Sequence, residues 1–172
     1  QFLPGDGEVV GARLVEHPDV AVIAFTGSKA VGLAINRHAA VPAPGQRHVK
    51  RVIAEMGGKN ALVIDADADL DVAVPAIAHG AYGYAGQKCS ACSRLILHRK
   101  IKDAFMERFL PLVEATAIGH PAERRSWLGP MIHEGAMKDT LAAIEQAKQQ
   151  GNQLVAGGAR VGDEGWFVQP TV

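Results

Sequence analysis

The sequence predicts an α/β protein with parallel strand pairing, and two observations support this class. Short apolar runs bounded by turn residues alternate along the chain with longer segments that carry the periodicity of amphipathic helices. The chain has 172 residues, of which 48% are hydrophobic, so it contains enough apolar side chain for a sizeable core. We therefore expect strands and helices to alternate around that core.

The first half of the chain is predicted to hold two helices and three strands. The run VAVIAF stands between Pro18-Asp19 and a Thr-Gly-Ser turn, a pattern typical of a buried strand in a parallel sheet. Ser28 can cap the helix that follows, and Pro42 ends it. In order, the predicted elements are a helix over 7–16, a strand over 20–25, a helix over 29–40, and strands over 49–54 and 60–64.

The second half continues the alternation. Phe105, Phe109 and Val113 recur at helical spacing, although Pro111 can kink the helix that carries them. Gly151 is placed to end the last helix. In order, the predicted elements are a helix over 70–82, a strand over 93–98, helices over 101–117 and 133–150, and two short strands over 153–155 and 166–168 that flank a glycine-rich turn over 157–165.

Charge and composition exclude several classes of function. The net charge is about zero and the Lys and Arg residues are scattered, so no basic surface for nucleic acid is predicted. No apolar run approaches the roughly 18 residues of a membrane span, and the first residues carry no signal-peptide pattern. Two cysteines are too few for a secreted disulfide scaffold, so a cytoplasmic protein is predicted. The missing initiator Met and the ending directly after an apolar run predict that the chain is part of a longer one.

A strand-turn-helix segment is a candidate phosphate-binding motif. Phe25-Thr26-Gly27-Ser28 joins a predicted strand to a predicted helix, which carries Gly32 near its start. Glycine lets the backbone approach a bulky anion, and a helix N-terminus offers unpaired N–H groups. Ser28 could add a hydroxyl to a pyrophosphate, or it could simply cap the helix. The motif departs from G-x-G-x-x-G, which argues against an ordinary Rossmann fingerprint.

Glu55 is a candidate general base. It ends a predicted strand and enters the turn at Gly57-Gly58. In open α/β sheets, ligands bind at the carboxyl ends of the strands, and a carboxylate held there can accept a proton from a reacting group. The alternative interpretation is a surface glutamate at a turn.

Cys89 is a candidate nucleophile, since the adjacent Lys88 favours the thiolate, the reactive form. The alternative is a structural cysteine that behaves as a small hydrophobic residue. Cys92 completes a C-x-x-C, which can serve a redox dithiol or half of a zinc site. No second C-x-x-C is present and His79 and His98 lie at no recognised ligand spacing, so no metal site is predicted. A redox dithiol normally opens a helix, whereas a strand is predicted after this one.

Together these motifs resemble those of the aldehyde dehydrogenase superfamily, whose members share F-T-G-S-x-x-V-G, E-x-G-G-K and G-Q-x-C. All three occur here in that order, in the segments that begin at Phe25, Glu55 and Gly86. The resemblance extends over essentially the whole chain, and residues 86–94 are most similar to the 1-pyrroline-5-carboxylate dehydrogenases. Those enzymes oxidise L-glutamate γ-semialdehyde to glutamate with NAD in proline breakdown. The resemblance implies an NAD-dependent enzyme, with NADP as the alternative cofactor.

The resemblance also implies part of an aldehyde-dehydrogenase-like fold. Residues 1–55 would form the end of the Rossmann-like cofactor domain, and residues 56–172 the first part of the α/β catalytic domain. The family's catalytic asparagine and its ribose-binding lysine would lie before Gln1. The glutamate that binds the nicotinamide ribose, the loop that anchors the substrate carboxylate and the oligomerisation strand would lie beyond Val172. A homo-oligomer is expected for the full-length enzyme.

The resemblance further implies a role for each candidate residue. Cys89 would attack the aldehyde to form a thiohemiacetal, and its backbone N–H would form part of the oxyanion hole. Glu55 would activate the water that hydrolyses the thioester, and it could also activate the thiol earlier in the reaction. Ser90 would help to hold the α-carboxylate of the substrate. The residues that would bind the cofactor are Phe25, Thr26, Gly27, Ser28, Gly32, Met56 and Gly57.

Three hypotheses from different classes stay open. The first is a fragment of a glutamate-semialdehyde dehydrogenase, with another aldehyde such as succinate or methylmalonate semialdehyde as the variant substrate. The second is an inactive truncated remnant of that family. The third is a small thiol redox protein that uses Cys89 and Cys92, which a reversible disulfide would reveal.

Overall fold

The computed structural model describes residues 1–172, which form two compact units, Gln1–Gly58 and Lys59–Val172. The helices are α1 (Ala12–Glu16), α2 (Lys29–Ala39), α3 (Leu70–Tyr82), α4 (Lys102–Glu114) and α5 (Glu134–Gln149). The strands are β1 (Val22–Thr26), β2 (Arg51–Glu55), β3 (Asn60–Ile64), β4 (Cys92–Leu97), β5 (Arg160–Val161) and β6 (Phe167–Val168). The sequence placed the division at 55/56, three residues before the division between the two units, and the cofactor and catalytic roles of the two parts stay predictions.

The first unit is built on the parallel pair β1 and β2. Their register ends with Thr26 opposite Glu55, so both strands end at the same edge. α2 begins directly after Ser28, whose side-chain oxygen accepts a hydrogen bond from the N–H of Val31 at 3.3 Å. The predicted parallel pairing and the serine cap are thus confirmed in this unit.

A buried lysine ties β2 to the C-terminal end of α1. Lys50 is only 8% exposed, and its ammonium nitrogen donates to the carbonyl oxygens of Val15 and His17, each at 2.6 Å. The Val15 carbonyl, in the last turn of α1, has no intrahelical partner, so the lysine satisfies it, and the lysine adds a second donor to the His17 carbonyl, which also accepts from the N–H of Val20 at 3.1 Å.

Replacing Lys50 with methionine is expected to lower the free energy of unfolding by about 3 kcal/mol, because two carbonyls lose a charged donor in a buried site. Urea denaturation followed by circular dichroism measures this loss. Lys100→Met is the matched control, since Lys100 is exposed and makes no side-chain hydrogen bond. Equal stability of the two variants would show that the buried contact contributes little.

The second unit has its core between two helices and the parallel pair β3 and β4. One face of α3 packs against one face of α4, and side chains from both strands contact this layer. The buried members of the cluster are Val74, Ile77, Ala78, Phe105, Phe109 and Val113. Their spacings of three and four residues are those of amphipathic helices, which confirms the predicted periodicity. Pro111 does not end α4, because the N–H of Ala115 still donates to the carbonyl of Pro111 at 2.9 Å.

Tyr82, the last residue of α3, is packed at the edge of this core. Its ring stacks on Phe109 with centroids 6.4 Å apart, and its hydroxyl donates to the carbonyl of Thr171 at 3.0 Å. Burial, followed by the charge of the nearby Cys92, raises the pKa of Tyr82 to about 12. The folded protein therefore holds this proton more tightly than the unfolded chain, whose tyrosines titrate near ~10.

We expect the stabilisation linked to Tyr82 to be fully present below pH ~10 and to be lost as the pH rises through about 12. The chain has two tyrosines, so in Tyr84→Phe the ultraviolet absorbance of tyrosinate reports Tyr82 alone. Its midpoint should lie near 12. The free energy of unfolding should fall more steeply over this pH range in the wild type than in Tyr82→Phe, and equal slopes would contradict the assignment.

Several sequence-based elements need correction. Residues 153–155 do not form a strand, since Val155 and Ala156 bond instead to the backbone of Val172 in too short a stretch to make a ladder. β5 lies inside the predicted turn over 157–165 and pairs antiparallel with β6. The predicted helix over 7–16 opens with a π-helical turn over Gly7–Gly11. No helix of the structure combines the length and the apolar character needed to cross a bilayer.

Candidate active site

The predicted phosphate turn and Glu55 meet at one edge of the first unit. Thr26 and Glu55 are the last paired residues of β1 and β2, and the N–H of Gly27 donates to the carbonyl of Glu55 at 3.0 Å. The turn after β1 and the backbone of Glu55 at the end of β2 are therefore neighbours. This is the carboxyl edge of a parallel pair, where α/β proteins bind their ligands.

The N-terminus of α2 lies directly after this turn. Lys29 and Ala30 begin the helix, and their backbone N–H groups have no acceptor in the structure, whereas that of Val31 is taken by the Ser28 hydroxyl. Two free N–H groups at the positive end of a helix suit an anion such as a phosphate. The Ser28 hydroxyl therefore caps the helix, which is the role that the sequence analysis gave as the alternative to phosphate binding.

Close packing around the turn favours glycine at two of the predicted positions. A Cβ on Gly27 would lie 2.5 Å from the ring of Phe25, and one on Gly32 would lie 2.8 Å from the sulfur of Met56. Four predicted cofactor residues therefore pack on one another at the start of α2. Gly57 has open space around it, with no atom within 4 Å of a Cβ built there.

Cys89 and Ser90 belong to the second unit and lie on the loop between α3 and β4. Both are exposed, and the backbone N–H of Cys89 has no acceptor in the structure. A free N–H beside the thiol is what an oxyanion hole requires. Cys92 is reduced and its thiol donates to the carbonyl of Arg94 at 3.3 Å.

The loop is preceded by an unusual left-handed turn. Tyr84, Ala85 and Gly86 have φ values of 63°, 54° and 68°, and the first two are not glycine. Gln87 then joins the loop to a neighbouring segment: its side-chain oxygen accepts from the N–H of Ile132 at 2.8 Å. Its side-chain nitrogen donates to the carbonyls of Tyr84 and Pro130 at 3.2 and 3.4 Å.

Two contacts of this loop were missed in the sequence interpretation. Gln87 was read as part of a motif without a role, and Asn60, at the start of β3, was not singled out. The Asn60 side chain donates to the carbonyls of Cys89 and Ala91 at 2.7 and 3.2 Å. The sequence does show the two amide side chains, Asn60 directly after the E-x-G-G-K motif and Gln87 within G-Q-x-C. It does not show their hydrogen-bond partners, which lie 29 and 45 residues away along the chain and are brought close by the fold.

Two cavities lie away from the predicted site residues. A cavity of about 670 Å³ lies in the first unit beside His48 and Lys50, and one of about 520 Å³ lies in the second unit beside Pro130 and Trp166. None of the predicted site residues lines either cavity. No group of three or more His, Cys, Asp or Glu side chains is arranged to hold a metal ion.

Comparison with known proteins identifies the class of protein to which this fold and these motifs belong. The sequence model of the aldehyde dehydrogenase family matches residues 1–172, and the chain belongs to that family. Individual relatives that match the chain carry a more specific name than the family. The 1-pyrroline-5-carboxylate dehydrogenases of Bacillus subtilis (strain 168) and Geobacillus thermodenitrificans are 44% and 46% identical over 171 residues, which is 99% of this chain.

The structural comparison agrees with the sequence comparison. The crystal structure of 1-pyrroline-5-carboxylate dehydrogenase from Thermus with bound NAD matches with a TM-score of 0.93 and 47% identity, and the match covers 99% of this chain and 33% of that one. The chain likewise spans 33% of the length of the curated relatives. The predicted family and the aldehyde-dehydrogenase-like fold are confirmed.

Proposed function

We propose that this chain supplies the nucleophile, the general base and the pyrophosphate turn of an NAD-dependent dehydrogenase that oxidises L-glutamate γ-semialdehyde to glutamate. The observation that carries the proposal is the shared edge of β1 and β2, where Gly27 hydrogen-bonds to the carbonyl of Glu55. It brings a helix N-terminus suited to phosphate next to Glu55, whose carboxylate is suited to proton transfer. The substrate follows from the names of the relatives that match nearly the whole chain.

The first unit would hold the cofactor. The free N–H groups of Lys29 and Ala30 would donate to the pyrophosphate, and the packing of Gly32 against Met56 keeps the helix close to the turn. NAD, when bound, supplies the acceptor for the hydride that leaves the substrate. A Thermus relative was solved with bound NAD, which favours NAD over NADP.

The second unit would carry the covalent chemistry. The Cys89 sulfur attacks the aldehyde carbon to form a thiohemiacetal, and the Cys89 N–H donates to the oxygen on which negative charge develops. The exposure of Cys89 and its unpaired N–H support both roles. Loss of hydride from the thiohemiacetal carbon leaves a thioester on Cys89.

Glu55 would act in the second half of the reaction. Its carboxylate accepts a proton from the water that attacks the thioester, which releases the acid and restores the thiol. Ser90, next to the nucleophile, would donate from its hydroxyl to the α-carboxylate of the substrate. Each turnover thus consumes one aldehyde, one water and one oxidised cofactor and yields one acid, one reduced cofactor and one proton.

The test uses the protein as its cell makes it, after intact-mass measurement. We expect NADH formation with L-glutamate γ-semialdehyde at a kcat/KM at least about ten times that with succinate or methylmalonate semialdehyde. Preference for another aldehyde would assign that aldehyde as the substrate, and faster turnover with NADP would assign NADP as the cofactor. A native product near 18.2 kDa with no turnover would favour the inactive remnant. The homo-oligomer and the cytoplasmic location stay predictions.

A further inference from the structure

We propose that Asn60 is a positioning residue for the nucleophile, which it holds by tethering the backbone of the Cys89 loop to the first residue of β3. This inference rests on the proposed function, because it assigns Asn60 a part in the chemistry of Cys89. Asn60 touches no reacting atom in this proposal and acts through the loop.

The tether consists of two hydrogen bonds from one amide group. The side-chain nitrogen of Asn60 donates to the carbonyl of Cys89 at 2.7 Å and to the carbonyl of Ala91 at 3.2 Å. The two carbonyls stand two residues apart, on either side of Ser90. One amide nitrogen therefore contacts both carbonyls, and the path of the chain from Cys89 to Ala91 is held at two points.

The local backbone of β3 is adapted to this contact. Asn60 pairs with Cys92 in the parallel register, but the register shifts between Asn60 and Ala61, so that Ala61 pairs with Arg94. Such an irregularity re-aims a side chain and is common beside active sites. The hydroxyl of Ser93 donates to the backbone carbonyl of Asn60 at 3.4 Å, which adds a second connection at the same point.

The loop needs a tether because its upstream end is conformationally costly. The backbones of Tyr84 and Ala85 are held in the left-handed region, which residues other than glycine occupy only when the surroundings enforce it. Gln87 anchors that upstream end to Pro130 and Ile132, and Asn60 anchors the downstream end. Cys89 follows Gln87 by two residues and itself carries the first carbonyl that Asn60 holds.

Positioning of this kind affects the rate because covalent attack depends on geometry. A displacement of the reacting atom by ~1 Å can cost about a hundredfold in rate. The peptide group after Cys89 carries the tethered carbonyl, so release of that carbonyl frees the backbone from which the thiol projects.

The experiment compares Asn60→Asp and Asn60→Ala with the wild-type protein as its cell makes it. Asn60→Asp keeps the shape but turns acceptors toward two carbonyl oxygens, and Asn60→Ala removes the donors without adding charge. Asn152→Asp is the matched control, since the Asn152 amide also donates to a backbone carbonyl, that of Ala147, but does so at the end of α5. We measure kcat, the KM for NAD, and hydrogen exchange over residues 88–92.

In both Asn60 variants we expect kcat to fall by about tenfold to a hundredfold, with the KM for NAD within about twofold of wild type. Exchange over 88–92 should rise in both, and Asn152→Asp should change neither quantity. An unchanged kcat, or unchanged exchange over 88–92, would overturn the proposal, and so would a fall in kcat that the control shares.

If the wild-type protein oxidises no aldehyde, the proposed function fails by itself and the tether is judged without turnover. The rate at which iodoacetamide labels Cys89, expressed as a ratio to the rate in the wild-type protein, should then change by at least about threefold in both Asn60 variants. An unchanged ratio would overturn the positioning role on its own.

Discussion

Replacement of Cys89 by alanine is expected to lower the rate of aldehyde oxidation by roughly 10⁴-fold or more, because the covalent route is lost together with its nucleophile. The side chain is exposed on its loop and makes no hydrogen bond, so its removal should leave the fold and cofactor binding intact. NADH formation measures the rate, and the quenching of protein fluorescence by NAD measures binding.

Cys92→Ala is the matched control for the nucleophile. Cys92 is partly buried and its thiol donates to the carbonyl of Arg94, so its loss should cost some stability and little activity. If both single variants lost activity equally, a role for the C-x-x-C as a dithiol would replace the single-nucleophile assignment. Full activity in Cys89→Ala would remove Cys89 from the mechanism altogether.

Replacement of Glu55 by glutamine is expected to slow turnover by about 10²–10⁴-fold, because the attacking water loses its general base. The amide has nearly the same shape as the carboxylate, and the backbone bond from Gly27 to the Glu55 carbonyl does not involve the side chain. Hydrolysis of the thioester should become the slow step. Intact-mass spectrometry during turnover should then show an acyl group that accumulates on Cys89.

Glu8→Gln controls for the loss of one negative charge, since Glu8 is exposed and its side chain makes no hydrogen bond or ion pair. It should leave kcat unchanged. If Glu55→Gln slowed turnover without acyl accumulation, the base would act earlier, on the thiol or on the positioning of the aldehyde. Wild-type rates in Glu55→Gln would exclude Glu55 as the base.

Much of the local structure could be predicted because its causes lie close together in the chain. The serine cap of α2 and the amphipathic faces of α3 and α4 depend on residues at most a few positions apart. β6 lies within the strand predicted over 166–168, whereas β5 was missed because the glycine-rich stretch that contains it carries little periodicity. Residues 153–155 have the apolar character of a strand, but the backbone of Val172 takes their hydrogen bonds.

The candidate site divides in the same way. The types of chemical group could be predicted, a thiol, a carboxylate and a glycine turn before a helix, since each is a short motif of adjacent residues. Which residues are neighbours depends on tertiary contacts: the parallel register that sets Gly27 against Glu55, and the bonds from Asn60 and Gln87 that hold the Cys89 loop. These contacts join residues 28 to 45 positions apart, and a hydrogen bond over such a separation depends on how whole elements pack.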